Sequence, residues 1–181
     1  VGLEFREGTG PDWLEHSGNS IIVALAGKLS PYTLLLTIDM IVMNTILFIQ
    51  MGTPLQGSFV MIMLSEIILI IVYQMLGVLF VATTSNLRLS LSLASAYSMM
   101  ALTFAGLTFP QFSMPLLARI FALLFPFTYW VRIFISQAFR GEAALQGILL
   151  IGALVVFILV SVLSLPLLKK RLKDEKYWGK I

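Results

Sequence analysis

Long apolar runs separated by short polar turns form the dominant pattern along this chain. Four of these runs are long enough to cross the hydrocarbon core of a bilayer as helices, which takes roughly 20 residues. They are residues 31–51, 57–83, 89–109 and 146–168. Pro31 stands at the start of the first run, where a proline costs no helical hydrogen bond. The pattern therefore predicts an all-α fold with four transmembrane helices, in a transmembrane domain over residues 31–168.

A further apolar stretch, residues 110–141, is interrupted by prolines and carries two arginines in its interior. Pro126 removes a backbone hydrogen bond that lipid cannot replace, so a single uninterrupted span is disfavoured. Arg119 and Arg132 stand on either side of that proline, and charge is costly at the centre of a bilayer. We predict two short helices that meet at Pro126 and form a re-entrant hairpin. They are residues 113–125 and 128–139.

The two ends of the chain are polar. Residues 1–20 contain four acidic side chains and several glycines, and are too polar to enter lipid. The apolar run at 21–26 is only about a third of the length of a span, so it predicts a short interfacial helix. We therefore assign residues 1–30 to a surface segment and residues 169–181, which hold six basic side chains, to a basic tail.

Basic residues are distributed unevenly about the four predicted spans. Nine of the twelve lysines and arginines fall in the N-terminal segment, the turn after the second span and the tail, which lie on one side when four spans are present. The other three are Arg119, Arg132 and Arg140, on the side of the hairpin. The positive-inside rule assigns the more basic side to the cytoplasm. It predicts that both ends of this chain are cytoplasmic and that the hairpin is external.

Composition agrees with a polytopic integral membrane protein. The chain is 59% hydrophobic and 12% charged, whereas soluble domains are about half apolar and about a quarter charged. Because the basic residues cluster at span ends, they set orientation and indicate no nucleic-acid role. The chain has no cysteine, and the single His16 cannot form a metal site alone. It begins without methionine and with a polar segment, so we expect the C-terminal part of a longer membrane protein.

Two acidic residues, Asp39 and Glu66, fall within predicted spans. A charged side chain there costs about 2.5–3.5 kcal/mol on insertion scales, so it marks a functional or a buried polar site. One interpretation is an ion or proton relay. The other is structural: the acids are neutral, or hydrogen-bond to Asn44, Gln74 or a serine of the third span, or pair with a segment outside this sequence. No set of nucleophile, base and acid can be assembled, so we predict no catalytic residue and no enzymatic activity in this chain.

Three motifs together resemble the permease subunits of ATP-binding cassette exporters of the type 2 family, in particular bacterial multidrug-type permeases. The first pairs EFREGT at residues 4–9 with GKLSPY at 27–32, similar to the family's cytoplasmic coupling segment. The second, GTPLQGS at 52–58, is similar to a short external turn. The third resembles an external re-entrant hairpin. It consists of AGLTFP at 105–110, Met114-Pro115 and PFTY at 126–129.

The resemblance implies roles for two sets of residues. The segment that couples to the ATPase would comprise Glu4, Arg6, Glu7, Gly8 and Thr9. The external re-entrant gate would comprise Gly106, Phe109, Pro110, Met114, Pro115, Pro126 and Tyr129. The chain departs from the family pattern at two points: Arg6 interrupts the acidic motif, and Gly10-Pro11 should disturb a long coupling helix.

The resemblance further implies that this chain is one subunit of a multidrug-type efflux exporter in the bacterial inner membrane. ATP and magnesium would be bound by a separate ATPase subunit, and this chain would hold no cofactor. A second permease subunit would complete the transport path, and membrane lipids would surround the permease subunits. Two other classes stay open. One is an ion-gradient-driven secondary transporter or channel that uses Asp39 and Glu66, and the other is a membrane assembly subunit without transport of its own.

Overall fold

The computed structural model of the protein describes residues 1–107 and 113–179. The regular secondary structure of this part of the chain is all helical, without β-strands, and includes nine α-helices. They are α1 (Gly2–Glu7), α2 (Gly10–His16), α3 (Ile21–Thr45), α4 (Phe59–Thr84), α5 (Leu87–Phe104), α6 (Leu116–Ala122), α7 (Pro126–Ile135), α8 (Ala144–Val162) and α9 (Leu165–Leu172). Helices α3 and α7 continue into π-helical turns, and a 3₁₀ turn follows α9. These turns are Ile46–Gln50, Ser136–Arg140 and Glu175–Tyr177.

Three of the described helical segments are long and apolar enough to cross a membrane. They are Ile21–Gln50, Phe59–Thr84 and Leu145–Leu172. The bent pair α6–α7 makes a fourth only if it is one broken span. Helix α5 lies where the third span was predicted, but this 18-residue helix is not among the candidate spans, since Arg88 and four serines lower its apolar character. The predicted four-span topology therefore stays a prediction, and the predicted end of that span at Phe109 lies outside the described residues.

The first long helix differs from its prediction at the N-terminal end. Helix α3 begins at Ile21, so Pro31 lies inside it and the prediction that Pro31 starts the helix is wrong. A proline at this position leaves the carbonyl of Gly27 without its usual N–H partner. The hydroxyl of Ser30 donates to that carbonyl at 3.3 Å. Because Ile21 is buried in a core with α1 and α2, packing also stabilises the first turns against the proline.

The chain divides into two compact units, each of which takes residues from α3, α4, α5 and α8. The first unit comprises Val1–Tyr32, Tyr73–Tyr97 and Ile158–Ile181. The second comprises Thr33–Val72 and Ser98–Phe157.

The first unit has its own apolar core. Phe5 of α1 and Leu14 of α2 are each 1% exposed and pack among side chains from α9 and from the ends of α3 and α4. Those side chains are Ile21, Ala24 and Leu25 of α3, Val78 and Ala82 of α4, and Leu165, Leu168 and Leu172 of α9. Full burial of a side chain such as Phe or Leu contributes about 1.5–3 kcal/mol. The N-terminal segment is therefore a docked part of the helical unit.

The basic tail is also folded onto the first unit. Arg171 donates from its guanidinium to the carbonyls of Ala82 and Thr83, at 3.0 and 2.5 Å, and to the hydroxyl of Ser85 at 3.2 Å. These carbonyls belong to the last turn of α4, where no intrahelical partner is available. The indole N–H of Trp178 donates to the carbonyl of Leu172 at 3.1 Å. The tail thus caps one helix and continues the packing of α9.

In the second unit, the proline-interrupted stretch forms two helices that bend by 94°. The predicted break at Pro126 is confirmed: this residue begins α7, and the preceding Phe125 has an extended backbone. The rings of Phe104 and Phe121 each pack against the ring of Phe125, with centroids 6.3 and 5.2 Å away. The hydroxyl of Thr128 donates to a carbonyl at the end of α6 at 2.8 Å. Aromatic packing and one buried hydrogen bond therefore hold the corner.

Candidate functional site

The predicted coupling segment consists of α1 and α2, which are separated at Gly8-Thr9. Gly8 adopts a left-handed conformation with φ of 71°, and a Cβ added there would lie 3.2 Å from the ring of Trp178. Pro11 lies in the first turn of α2, where its missing N–H is not needed. The predicted disturbance of a long helix near Gly10-Pro11 is confirmed, and the coupling role of these helices stays a prediction.

Glu4 was predicted to lie at the surface as a coupling residue, but its side chain is buried. It is only 8% exposed and forms an ion pair with Lys28 of α3. The Lys28 ammonium also lies 5.3 Å from the centre of the Trp13 ring. Because its carboxylate points into the unit, Glu4 holds α1 against α3. Nothing in the sequence identified Lys28 as its partner, since 24 residues separate Glu4 from Lys28.

The rest of the predicted coupling set stays at the surface. Arg6 and Glu7 form an exposed pair at 3.2 Å, and Thr9 is exposed between the two helices. The outer faces of α1 and α2 define what we call the α1–α2 surface. It consists of Leu3, Arg6, Glu7, Thr9, Asp12 and Glu15, all exposed. Three acids against one arginine make this surface negative, so it suits a partner with basic groups.

Glu66 lies in α4 within the second unit and is 3% exposed. The side-chain amide of Asn44 in α3 donates to its carboxylate at 2.6 Å, and Asn44 is itself 4% exposed. Asn44 was one of the three partners that the sequence left open. A buried acid with such a partner holds two apolar helices together, and it is also the kind of group that binds a proton inside a membrane.

The side chains of Asp39 and Glu66 do not lie together. The Asp39 side chain is exposed on α3, and Asn44, which faces Glu66, follows five residues later. At 100° per residue, these two positions on α3 point about 140° apart. The structure therefore does not bring the two acids of the predicted relay to one face.

The predicted gate residues that the structure describes lie in the hairpin or next to it. Met114 is buried, Pro115 caps the start of α6, and Pro126 begins α7. Tyr129 donates from its hydroxyl to a carbonyl between α6 and α7 at 3.0 Å. Gly106 has a φ of 95°, which favours glycine at the end of α5. The predicted gate residues Phe109 and Pro110 lie outside the described residues.

Gln137 is a residue that sequence reasoning missed as a structural element of the hairpin. Its side chain is 1% exposed and accepts from the backbone N–H of Ser58 at 3.0 Å. Its amide donates to the carbonyl of Glu142 at 3.1 Å, and its own carbonyl accepts from Gly57 at 2.7 Å. Gln137 therefore clamps the turn at residues 52–58 to the end of α7. No local signal could have identified a contact between residues 79 positions apart.

Comparisons with protein-family models, with curated proteins and with solved structures found no match to this chain.

Proposed function

We propose that this chain is the membrane-spanning permease subunit of an ATP-driven exporter that moves a substrate across the bacterial inner membrane. The observation that supports this most directly is the docking of α1 and α2 onto the ends of α3, α4 and α9 through one buried core. A surface segment attached to long apolar helices in this way can receive a force from a partner and transmit it. The order of the three family-like motifs supports the same function.

In the proposed mechanism, the chain transmits a displacement from an ATPase subunit to its membrane helices. A separate ATPase subunit, which binds ATP and magnesium, closes on nucleotide and presses on the α1–α2 surface. The Glu4–Lys28 ion pair and the buried Phe5 pass that displacement to α3, which continues without interruption to Thr45. Export then requires two states of the helices that differ in their contacts with the ATPase. A second permease subunit completes the path, and the hairpin gates it on the external side.

Reversal of one charge on the α1–α2 surface tests this proposal. In the full-length protein with its ATPase, Glu7→Lys should lower export about tenfold, because a basic partner group then meets a like charge. ATP hydrolysis and membrane insertion should be retained. The matched control is Glu175→Lys, which reverses an exposed acid of the same unit outside that surface. Equal export by the two variants would show that the α1–α2 surface is not the coupling contact.

The buried Glu66 supports a second candidate, a transporter driven by an ion gradient. Under the exporter proposal, Glu66→Gln should leave export within about twofold, because the glutamine side chain is isosteric and still accepts the hydrogen bond of Asn44. Asp39→Asn, a change of an exposed acid on α3, serves as the control. The second candidate replaces the first if export proceeds without ATP, collapses with a protonophore and is lost only in Glu66→Gln.

A further inference from the structure

A polar cleft of about 490 Å³ lies in the second unit beside the hairpin. Its walls come from the end of α5, from one face of α7 with its π-helical turn, and from the first turns of α8. This volume is within the range of about 300–1,000 Å³ that is typical of ligand pockets. One family-like motif reaches the wall of the cleft at Ala105 and Gly106, but neither that motif nor the proposed coupling role uses its charged residues.

The cleft carries charge of both signs. Arg132 and Arg140 contribute guanidinium groups, and Glu142 contributes a carboxylate that pairs with Arg140 at 3.3 Å. A guanidinium has five N–H donors in a planar arrangement, so one contact with a carboxylate leaves Arg140 further donors. Arg132 and Arg140 line the same cleft, and a guanidinium can bind two oxygens of a phosphate in a bidentate manner. A purely anionic ligand would be repelled by the Glu142 carboxylate. A phosphate linked to an amine would instead pair with the arginines through its phosphate and with Glu142 through its ammonium.

The rest of the cleft is apolar and continues onto an exposed apolar face. Val131 and Ile135 of α7 and Leu150 of α8 line it. Leu149, one turn from the lining residue Gln146, is 73% exposed on the same side of α8. A ligand with a charged head and a long apolar chain therefore fits better than a small soluble molecule, since its chain can lie along α8.

We propose that this cleft binds the head group of an amine-bearing phospholipid. The phosphate is held by Arg132 and Arg140, the ammonium by Glu142, and an acyl chain runs along Leu149. Basic pockets between membrane helices are a known way in which proteins bind lipid head groups. The site does not depend on the exporter function, because any membrane protein with this hairpin would bind the lipid.

Native mass spectrometry of the purified full-length protein tests the proposal. The protein is delipidated in detergent and offered equal amounts of a phosphatidylethanolamine, a phosphatidylglycerol and a diacylglycerol with the same chains. We expect the parent protein to retain the phosphatidylethanolamine over the other two. The variant Arg132→Gln/Arg140→Gln should retain it about tenfold less, since charge-assisted hydrogen bonds are lost. Glu142→Gln should remove the preference for the amine over the glycerol head group.

The control is Arg119→Gln, which removes an arginine of the hairpin that does not line the cleft and should leave retention unchanged. Equal retention of all three lipids by the parent protein, or unchanged retention in the double variant, overturns the proposal. Displacement of the lipid by free phosphoethanolamine at an equal concentration also overturns it, because the acyl chain then contributes nothing and the ligand is a soluble phosphate compound. If the double variant does not elute as a monodisperse helical protein, Arg140→Gln decides, since that side chain is 67% exposed and its loss should not affect folding.

Discussion

Replacement of Glu4 by lysine should release α1 and α2 from the first unit. The new ammonium would lie in a site that is 8% exposed, next to the ammonium of Lys28. Removal of one partner from a buried ion pair costs about 3–5 kcal/mol. Lys28 keeps 30% of its side chain exposed, so we expect the lower part of that range. Because the long helices keep their own packing, the loss should be local to the N-terminal segment.

Amide hydrogen exchange measures this release directly. Protection in α1 and α2 should fall by about a hundredfold in Glu4→Lys, while protection in α4 should change little. Glu7→Lys makes the same change of charge at an exposed position and serves as the control. The exchanged pair Glu4→Lys/Lys28→Glu should recover much of the protection. Full protection in Glu4→Lys alone would show that the ion pair does not hold these helices.

Replacement of Gly57 by valine should detach the turn at residues 52–58 from the hairpin. A Cβ at this position would lie 2.7 Å from the side-chain oxygen of Gln137 and 2.9 Å from its backbone carbonyl. Both distances are too short for a carbon atom, so the turn must move away. The N–H groups of Gly57 and Ser58, which are half-buried, then lose their acceptors, and each lost hydrogen bond costs about 0.5–1.5 kcal/mol. With the shift of the turn, we expect a total loss of about 2–3 kcal/mol.

Thermal unfolding of the purified protein in detergent checks this result. The midpoint should fall by about 5–10 °C for a chain of this size. Gly152→Val is the matched control, since a Cβ at that glycine of the same unit meets nothing within 4 Å. A second variant, Gln137→Leu, should reproduce part of the loss, because it removes the side-chain bonds and keeps the backbone bond to Gly57. An unchanged midpoint in Gly57→Val would show that the hydrogen bonds of Gln137 do not hold the turn at residues 52–58 against the hairpin.

The features that could be predicted from the sequence depend on short stretches of chain. The break at Pro126 follows from a proline that cannot continue a helix from α6. The interruption predicted at Gly10-Pro11 is present, although it falls at Gly8-Thr9, just before that pair. The predicted start of α3 was wrong because a long-range contact outweighed a local rule. A local rule places Pro31 at a helix start, whereas Ile21 gains enough from the shared core to extend the helix beyond the proline.

The sequence by itself determined that the chain is helical and apolar, where its helices break and which polar residues stand within apolar runs, because composition and backbone restrictions act over a few residues. Only the tertiary structure decided which of those polar residues meet. Glu4 pairs with Lys28, Glu66 with Asn44, and Gln137 with the turn before α4, across 24, 22 and 79 positions of the chain. Such pairs arise from the packing of helices against one another, and packing depends on the shapes of whole faces that no local pattern encodes.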